Sequence, residues 1–110
     1  MTRRAFVAGL ALLFGSAGLG AAERGRRPRT HKIAMDGMLF KPASLTINAG
    51  DSVTWVNNDI VEHTATAADT SWDSNMVAPE KSWKHTFKTK RSYEYVCKYH
   101  PTMKGTLIVR

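Results

Sequence analysis

The sequence contains very little cysteine for a small protein, since Cys97 is the only one in 110 residues. One cysteine excludes an intramolecular disulfide, although small exported domains are usually cross-linked by several. A lone cysteine in an exported chain is either a reactive thiol or a metal ligand. Exported proteins work in an oxidising compartment, where an unprotected thiol is readily oxidised. A bond to a metal is therefore the favoured explanation for Cys97.

The chain also lacks any segment with a sustained helical period. From residue 32 onward it consists of short segments in which apolar and polar residues alternate, as in 52–56, where Val53 and Trp55 share a face. Turn clusters such as 48–51 separate these segments. The pattern predicts an all-β sandwich. The polar, turn-rich stretch 67–81 is predicted to be a long surface connection between its two halves.

Acidic residues are few, with nine against sixteen Lys and Arg, which gives a net charge of +7. Arg3, Arg4 and the segment 23–30 carry five of those net charges, so the remainder of the chain carries only +2. No aromatic residue is interleaved with the arginines of this segment, and no nucleic-acid-binding motif accompanies them. We therefore expect no nucleic-acid partner, and we interpret residues 23–31 as a basic disordered arm.

Residues 1–22 are predicted to be a secretory signal peptide of the twin-arginine type. Arg3 and Arg4 precede an apolar run from Ala5 to Ala22 that is rich in Gly and Ala. Small residues at 20–22 offer a cleavage site. The alternative is a retained membrane anchor, because the run approaches the length needed to span a bilayer. We expect cleavage, a periplasmic location, no stable membrane insertion of the mature chain, and a folded domain over residues 32–110.

A Cys-x2-His-x2-Met motif places Cys97, His100 and Met103 on one short loop between two strand-like segments. A thiolate, an imidazole and a thioether are the donors that a type 1 copper site uses, with two His and one Cys in a plane and a weak axial Met. The loop lacks the second histidine, and His63 is the best candidate. Zinc would also accept imidazole and thiolate ligands. His31 is expected to face solvent, and His85 to be a hydrogen-bonded or edge histidine rather than a ligand.

From about Met38 to Arg110 the sequence resembles the small blue copper proteins, the cupredoxins. The resemblance runs through residues 41–47, 50–58, His63 and the loop 95–103. The spacing of this loop is nearest to that of the amicyanin group, whereas the pseudoazurin and plastocyanin groups share the Cys-x2-His start but place the Met further on. The resemblance implies a Greek-key sandwich of seven to eight strands and one type 1 copper ion bound by His63, Cys97, His100 and Met103. Thr64 and Glu62 depart from the Asn and Pro that often flank the first histidine ligand. We expect the Thr64 hydroxyl to make a similar but shorter bond, and Glu62 to place a carboxylate near the metal.

The resemblance implies a monomeric carrier of single electrons between periplasmic redox partners, and not an enzyme. Electrons would pass through His100, and Lys98 and Lys104 at the rim would attract acidic docking surfaces. A periplasmic copper carrier or resistance protein is the main alternative, although it would favour Met- and His-rich loops. A copper oxidase or reductase would need further ligands or a substrate site. A thiol enzyme with His100 as the base for Cys97 would need an orienting third group. A sandwich for adhesion would leave the thiol unexplained.

Overall fold

The computed structural model describes residues 26–110, and within this range the chain forms strands and no helix. No helix of the described residues is long and apolar enough to cross a membrane. The prediction of an all-β fold with seven or eight strands is confirmed. The strands are β1 (Thr30–Asp36), β2 (Leu39–Lys41), β3 (Ser44–Ile47), β4 (Ser52–Asn57), β5 (Thr66–Ala67), β6 (Ser82–Thr86), β7 (Arg91–Val96) and β8 (Lys104–Val109).

The eight strands form two four-stranded sheets that enclose one core. Sheet I has the order β2-β1-β4-β6, and sheet II has the order β3-β8-β7-β5. The pairs β1–β4 and β3–β8 are parallel, whereas the other neighbouring strands are antiparallel. Strands distant in sequence are therefore neighbours, as in a Greek key. The chain changes sheet five times, at every connection from β2–β3 to β6–β7.

Aromatic side chains from both sheets fill the core. Val53 and Trp55 are fully buried on the predicted inward face of β4. The ring of Tyr95 on β7 lies 5.6 Å from that of Trp55, and it also crosses Gly105 on β8. A Cβ at Gly105 would lie only 2.3 Å from Cζ of Tyr95. A residue without a side chain is therefore needed at this position for β7 and β8 to pair beneath the ring.

The connection from residue 68 to residue 81 is more than the surface loop that its composition predicts. Trp72 is only 6% exposed, and its ring lies 5.3 Å from Trp55 and 6.1 Å from Trp83. Trp72 thereby closes the side of the sandwich between β6 and sheet II. Val77 is buried as well. The sequence did not predict the burial of Trp72 and Val77, because both have polar neighbours and neither belongs to a segment in which apolar and polar residues alternate.

Asp51 organises the end of the sandwich where β1 and β4 begin. Its carboxylate accepts hydrogen bonds from the backbone N–H of Arg29 (2.9 Å) and of Asn48 (3.1 Å), and it lies 3.0 Å from Nε2 of His31. Burial opposes ionisation of Asp51, but the hydrogen bonds from Arg29, His31 and Asn48 outweigh it and hold the pKa below its usual value. The expectation that His31 faces solvent is wrong, since its side chain is 25% exposed and bonded to this carboxylate.

Replacing Asp51 by Asn should lower the free energy of unfolding at pH 7 by roughly 1–3 kcal/mol, because an amide cannot accept all three hydrogen bonds. Since the pKa of Asp51 is depressed from 3.8 in the folded protein, its contribution is present above that value and is lost as pH falls through the lower, folded-state pKa. Urea denaturation at pH 7 and pH 3 should therefore show a smaller difference between variant and wild type at pH 3. Asp36→Asn, which removes a half-exposed partner 3.9 Å from Lys41, is the control and should have little effect. An equal loss from Asp51→Asn at both pH values would contradict this role.

Candidate metal centre

His63 is held in place by backbone hydrogen bonds on the connection between β4 and β5. Its N–H donates to the carbonyl of Val77 (3.2 Å), and the N–H of Val77 donates back to the carbonyl of His63 (2.8 Å). The side-chain amide of Asn57 donates to the carbonyls of Val61 (2.8 Å) and Val77 (2.9 Å), which joins both segments to the end of β4. His63 is fully buried. Its backbone position is therefore set by the fold.

The loop 97–103 returns Cys97, His100 and Met103 to the same end of sheet II. The N–H of Cys97 donates to the carbonyl of Met103 (3.0 Å), the N–H of His100 to that of Cys97 (3.2 Å), and the N–H of Met103 to that of His100 (2.8 Å). These three bonds close the turn between β7 and β8. Cys97 and Met103 are buried, whereas His100 is partly exposed. The loop thus carries two enclosed sulfur atoms and one imidazole that reaches the surface.

The side chains of these residues meet in pairs. Sγ of Cys97 lies 3.7 Å from Nδ1 of His63, and the rings of His63 and His100 are 5.3 Å apart at an angle of 73°. Within residues 26–110, no three or more His, Cys, Asp and Glu side chains are arranged around one point as a metal-binding group. The structure therefore brings the predicted His and Cys residues together pairwise, with Met103 on the same closed loop, and their role as ligands stays a prediction.

The sulfur of Cys97 is also a hydrogen-bond acceptor. The backbone N–H of Thr64, the residue after His63, donates to Sγ over 3.3 Å in a fully buried setting. A hydrogen bond of this kind stabilises negative charge on the sulfur, which a metal-bound thiolate carries. The bond also joins the His63 segment directly to the loop.

Asp59 orients His63, and the sequence analysis did not identify it. Its Oδ2 lies 2.7 Å from Nε2 of His63, which holds the ring with its other nitrogen, Nδ1, facing Cys97. The expected carboxylate, Glu62, is exposed instead. The position of Asp59, four residues before His63, was the one feature of the sequence that could have indicated this contact.

The same carboxylate holds the β1–β2 turn. It accepts hydrogen bonds from the N–H groups of Gly37 (2.7 Å) and Met38 (3.0 Å), both of which have a φ of 63°. Two such residues form a type I′ turn, which suits a tight hairpin. Burial opposes ionisation of Asp59, but the bonds from Met38, His63 and Gly37 outweigh it and lower its pKa. Asp59 thus ties the turn to the histidine.

The Thr64 hydroxyl makes the bond that was expected of it, as the first link in a hydrogen-bonded chain. The N–H of Lys98 donates to Oγ1 of Thr64 (2.9 Å), the Thr64 hydroxyl donates to Thr66 (2.9 Å), and the Thr66 hydroxyl donates to Asp73 (2.9 Å). The ammonium of Lys98 closes the ring on the other oxygen of Asp73, at 2.7 Å. Lys98 and Lys104 are both exposed, but Lys98 is ion-paired with Asp73 and is therefore not a free rim charge.

Exposed apolar side chains gather around this end of the sandwich. The segments that carry them are either bonded to Asn57, Asp59 and His63 or belong to the ligand loop. We call this surface the apolar end; its members are Met38, Leu39, Ile60, Val61, Met76 and Tyr99. Met38 and Met76 are 40% and 52% exposed there, whereas Met35 is fully buried.

A two-sheet Greek key with a buried Cys–His contact at one end is the architecture of a small copper protein. Comparison with known proteins identifies the family. Residues 5–109 match the model of the cupredoxin-like domain, and the chain belongs to that family.

Curated relatives and solved structures agree with this assignment. Plastocyanin of Scenedesmus fuscus is 37% identical over 86 residues, which cover 66% of this chain and 88% of that protein. Amicyanin of Paracoccus versutus is 28% identical over 82 residues, which cover 70% of this chain and 62% of that protein. The structure of a copper(I) amicyanin variant superposes with a TM-score of 0.68 at 24% identity, over 74% of this chain and 82% of that one.

The cofactor of this family is one type 1 copper ion, and its general role is to carry electrons. The side chains at this end of the sandwich fit that ion. They combine a buried thiol that accepts an N–H, an imidazole whose Nδ1 faces the sulfur, a second imidazole at the surface and a buried thioether. These are the donor types of a type 1 copper site.

Removing the Thr64 hydroxyl tests whether the chain of hydrogen bonds supports the ligand loop. Thr64→Val keeps the shape but leaves the N–H of Lys98 without its acceptor, so the free energy of unfolding should fall by roughly 1–3 kcal/mol. Copper should also dissociate faster, as measured by transfer to a chelator. Thr64→Ser keeps the hydroxyl and should retain most of both properties. If Val and Ser variants behaved alike, the hydroxyl would not hold the loop.

Proposed function

We propose that this protein is a periplasmic carrier of single electrons whose copper ion is bound by His63, Cys97, His100 and Met103. The observation that carries the proposal is the buried approach of His63 Nδ1 to Cys97 Sγ at 3.7 Å, with the N–H of Thr64 on the same sulfur. Two segments distant in sequence supply this pair. A buried imidazole nitrogen beside a hydrogen-bonded sulfur has the chemistry of a metal ligand pair.

When bound, copper supplies a centre that gains or loses one electron. The residues of the chain determine how little has to move during that change. Backbone hydrogen bonds close the loop around Cys97 and Met103, and Asp59 fixes the orientation of His63. Ligands held by the fold keep similar positions in both oxidation states. The protein then carries an electron without a large rearrangement of its own structure.

His100 is the proposed route for electrons at the apolar end. It is the partly exposed member of the four, and Tyr99, which precedes it, is 49% exposed. A small apolar contact area gives a transient interface, as is typical of redox encounters. A partner protein would dock here and bring its own redox centre close to His100.

The periplasmic location rests on the sequence of residues 1–22, which lies outside the described residues. A twin-arginine start followed by an apolar run and small residues is typical of an exported protein. Export would place the single cysteine in an oxidising compartment, where a bond to copper protects it. The basic segment would then begin the mature chain, which we expect to be monomeric, and this segment would end before β1, which starts at Thr30 and not after residue 31.

A copper carrier remains the second candidate, and the exposed thioethers of Met38 and Met76 at the apolar end favour it. Such a protein would hand copper itself to a partner within its working cycle. Mixing the copper(I) protein with its copper(II) form measures electron exchange, and mixing it with an isotope-labelled metal-free form measures transfer of copper; the two rates separate the two functions. A carrier of electrons should exchange electrons much faster than copper ions.

The copper(II) form should be intensely blue, because a short bond between thiolate and copper gives a strong charge-transfer absorption. Cys97→Ser should abolish the colour. Met103→Leu should keep the colour and change the reduction potential, because the axial ligand tunes a type 1 site. Visible spectra and voltammetry measure both properties. A colourless copper(II) complex of the wild type would refute the assignment of these ligands.

Copper should raise the melting temperature of the folded protein, since a ligand that binds only the native state stabilises it by mass action. At a hundredfold excess over the dissociation constant, the gain is about 2.7 kcal/mol. Differential scanning calorimetry with and without copper measures the shift. Cys97→Ser is the matched control and should show a much smaller one. Equal melting temperatures for the wild type with and without copper would contradict a site built into the sandwich.

A further inference from the structure

The positive charge of the folded domain is concentrated on one segment. Residues 81–91 contain Lys81, Lys84, Lys88, Lys90 and Arg91 and no acidic residue. The rest of residues 31–110 contains five Lys and Arg but eight Asp and Glu. The segment therefore carries +5 on a domain whose remainder carries −3. A field with this polarity steers charged partners toward one side of the protein.

The segment includes β6, the outer edge strand of sheet I, and the connection that leads from β6 to β7. Lys81, Lys84, Lys88 and Lys90 are all exposed; we call these four the basic edge. Among the described residues none of them lies within ion-pair distance of a carboxylate. By contrast, Lys41, Arg91 and Lys98 pair with Asp36, Asp69 and Asp73. The basic edge thus keeps its charge available, while other basic side chains are neutralised by neighbours.

A continuous series of aromatic rings leads from this edge into the core. Trp83 and His85, on the inward face of β6, stack at 5.1 Å and 14°. Trp72 lies 6.1 Å from Trp83 and 5.6 Å from Tyr95. Tyr95 precedes Cys97 by two residues, so both point to the same face of β7, and both are buried. No saturated side chain has to be crossed between Trp83 and Tyr95.

We propose that the basic edge is a second docking surface, which receives an acidic one-electron donor protein. The proposal rests on the proposed function, because the electron must have a redox centre to reach. The donor loses one electron, and the copper(II) centre gains it through the rings of Trp83, Trp72 and Tyr95. No bond forms or breaks, and no proton moves. The apolar end remains free for a second protein that accepts the electron.

Lysines on an edge strand have another recognised use, which is to prevent the edge from pairing with a second sheet. Replacement by Glu separates the two roles. A glutamate keeps a charge on the edge and so preserves that protection, but it reverses the attraction for an acidic partner. Lys84→Glu/Lys88→Glu is therefore the test variant. Lys104→Glu changes the exposed rim lysine on β8 that the family resemblance offered as the competing site for acidic partners, and it is the comparison variant.

The first measurement locates anion binding without any electron transfer. Hexacyanochromate(III), a paramagnetic trianion, should broaden the backbone amide NMR signals of residues 81–90 in the copper(I) protein. The signals of residues 98–104 should change much less. Broadening confined to 98–104 would overturn the proposal. Because this result does not depend on redox activity, it stands even if the copper(II) protein proves colourless and the proposed function fails.

The second measurement is stopped-flow reduction of the copper(II) protein by a reduced plant-type [2Fe–2S] ferredoxin, used as an acidic donor. Lys84→Glu/Lys88→Glu should slow the reaction roughly fivefold or more at low ionic strength and reduce its dependence on salt. Lys104→Glu should change the rate little. An unchanged rate for the double variant, or a larger effect of Lys104→Glu, would overturn the proposal.

Trp83 tests the proposed path separately from docking. Trp83→Leu should leave the hexacyanochromate broadening in place and slow the electron-transfer step that follows docking. Trp83→Phe keeps an aromatic ring at the position and should restore part of the rate. If Leu and Phe gave equal rates to each other and to the wild type, the electron would not pass through this ring. The visible spectrum of each variant shows whether the copper site is intact.

Discussion

The hydrogen bonds that join the loop 97–103 to the His63 segment are the constraint on which the rest of the site depends. Closure of the loop by Cys97, His100 and Met103 brings three donor side chains to one end of sheet II. The N–H of Thr64 on Sγ of Cys97 then sets the fourth, His63, against them. The pairing of β5 with β7 brings the His63 segment beside the start of the loop, and the bond from Thr64 to the sulfur then fixes the facing side chains.

Beyond these contacts, the supporting residues connect the site to the fold in two directions. Asp59 links His63 to the β1–β2 turn, so one carboxylate serves both the imidazole and the hairpin. The chain through Thr64, Thr66 and Asp73 links the loop to the connection that carries Trp72. That connection closes the side of the sandwich beside β6. Hydrogen bonds therefore connect the candidate metal centre to the aromatic side of the core.

Apolar and positively charged side chains lie on different parts of the surface. The exposed apolar side chains lie at the apolar end, whereas the positive charge lies on the basic edge. An apolar surface provides contact area but does little to orient a partner protein, whereas a charged surface orients the partner and speeds its association. A protein that must receive and release electrons can use both kinds of surface for different partners. Lys98, which stands at the boundary, is paired with Asp73 and belongs to neither.

The sequence by itself determined the properties that depend on neighbours along the chain. Alternation in β4 predicted the strand and its inward face, because side chains of a strand point to opposite sides in turn. The spacing of Cys97, His100 and Met103 predicted the donor set, since a short loop holds such residues together whatever the fold. His63 was a candidate only through the family resemblance. Only the tertiary structure showed that Asp59 bonds to His63, that Trp72 is buried, that Asp73 neutralises Lys98 and that Met38 and Met76 are exposed. Each of these depends on where separate segments meet, and no periodicity along the chain encodes contacts between segments that only folding brings together.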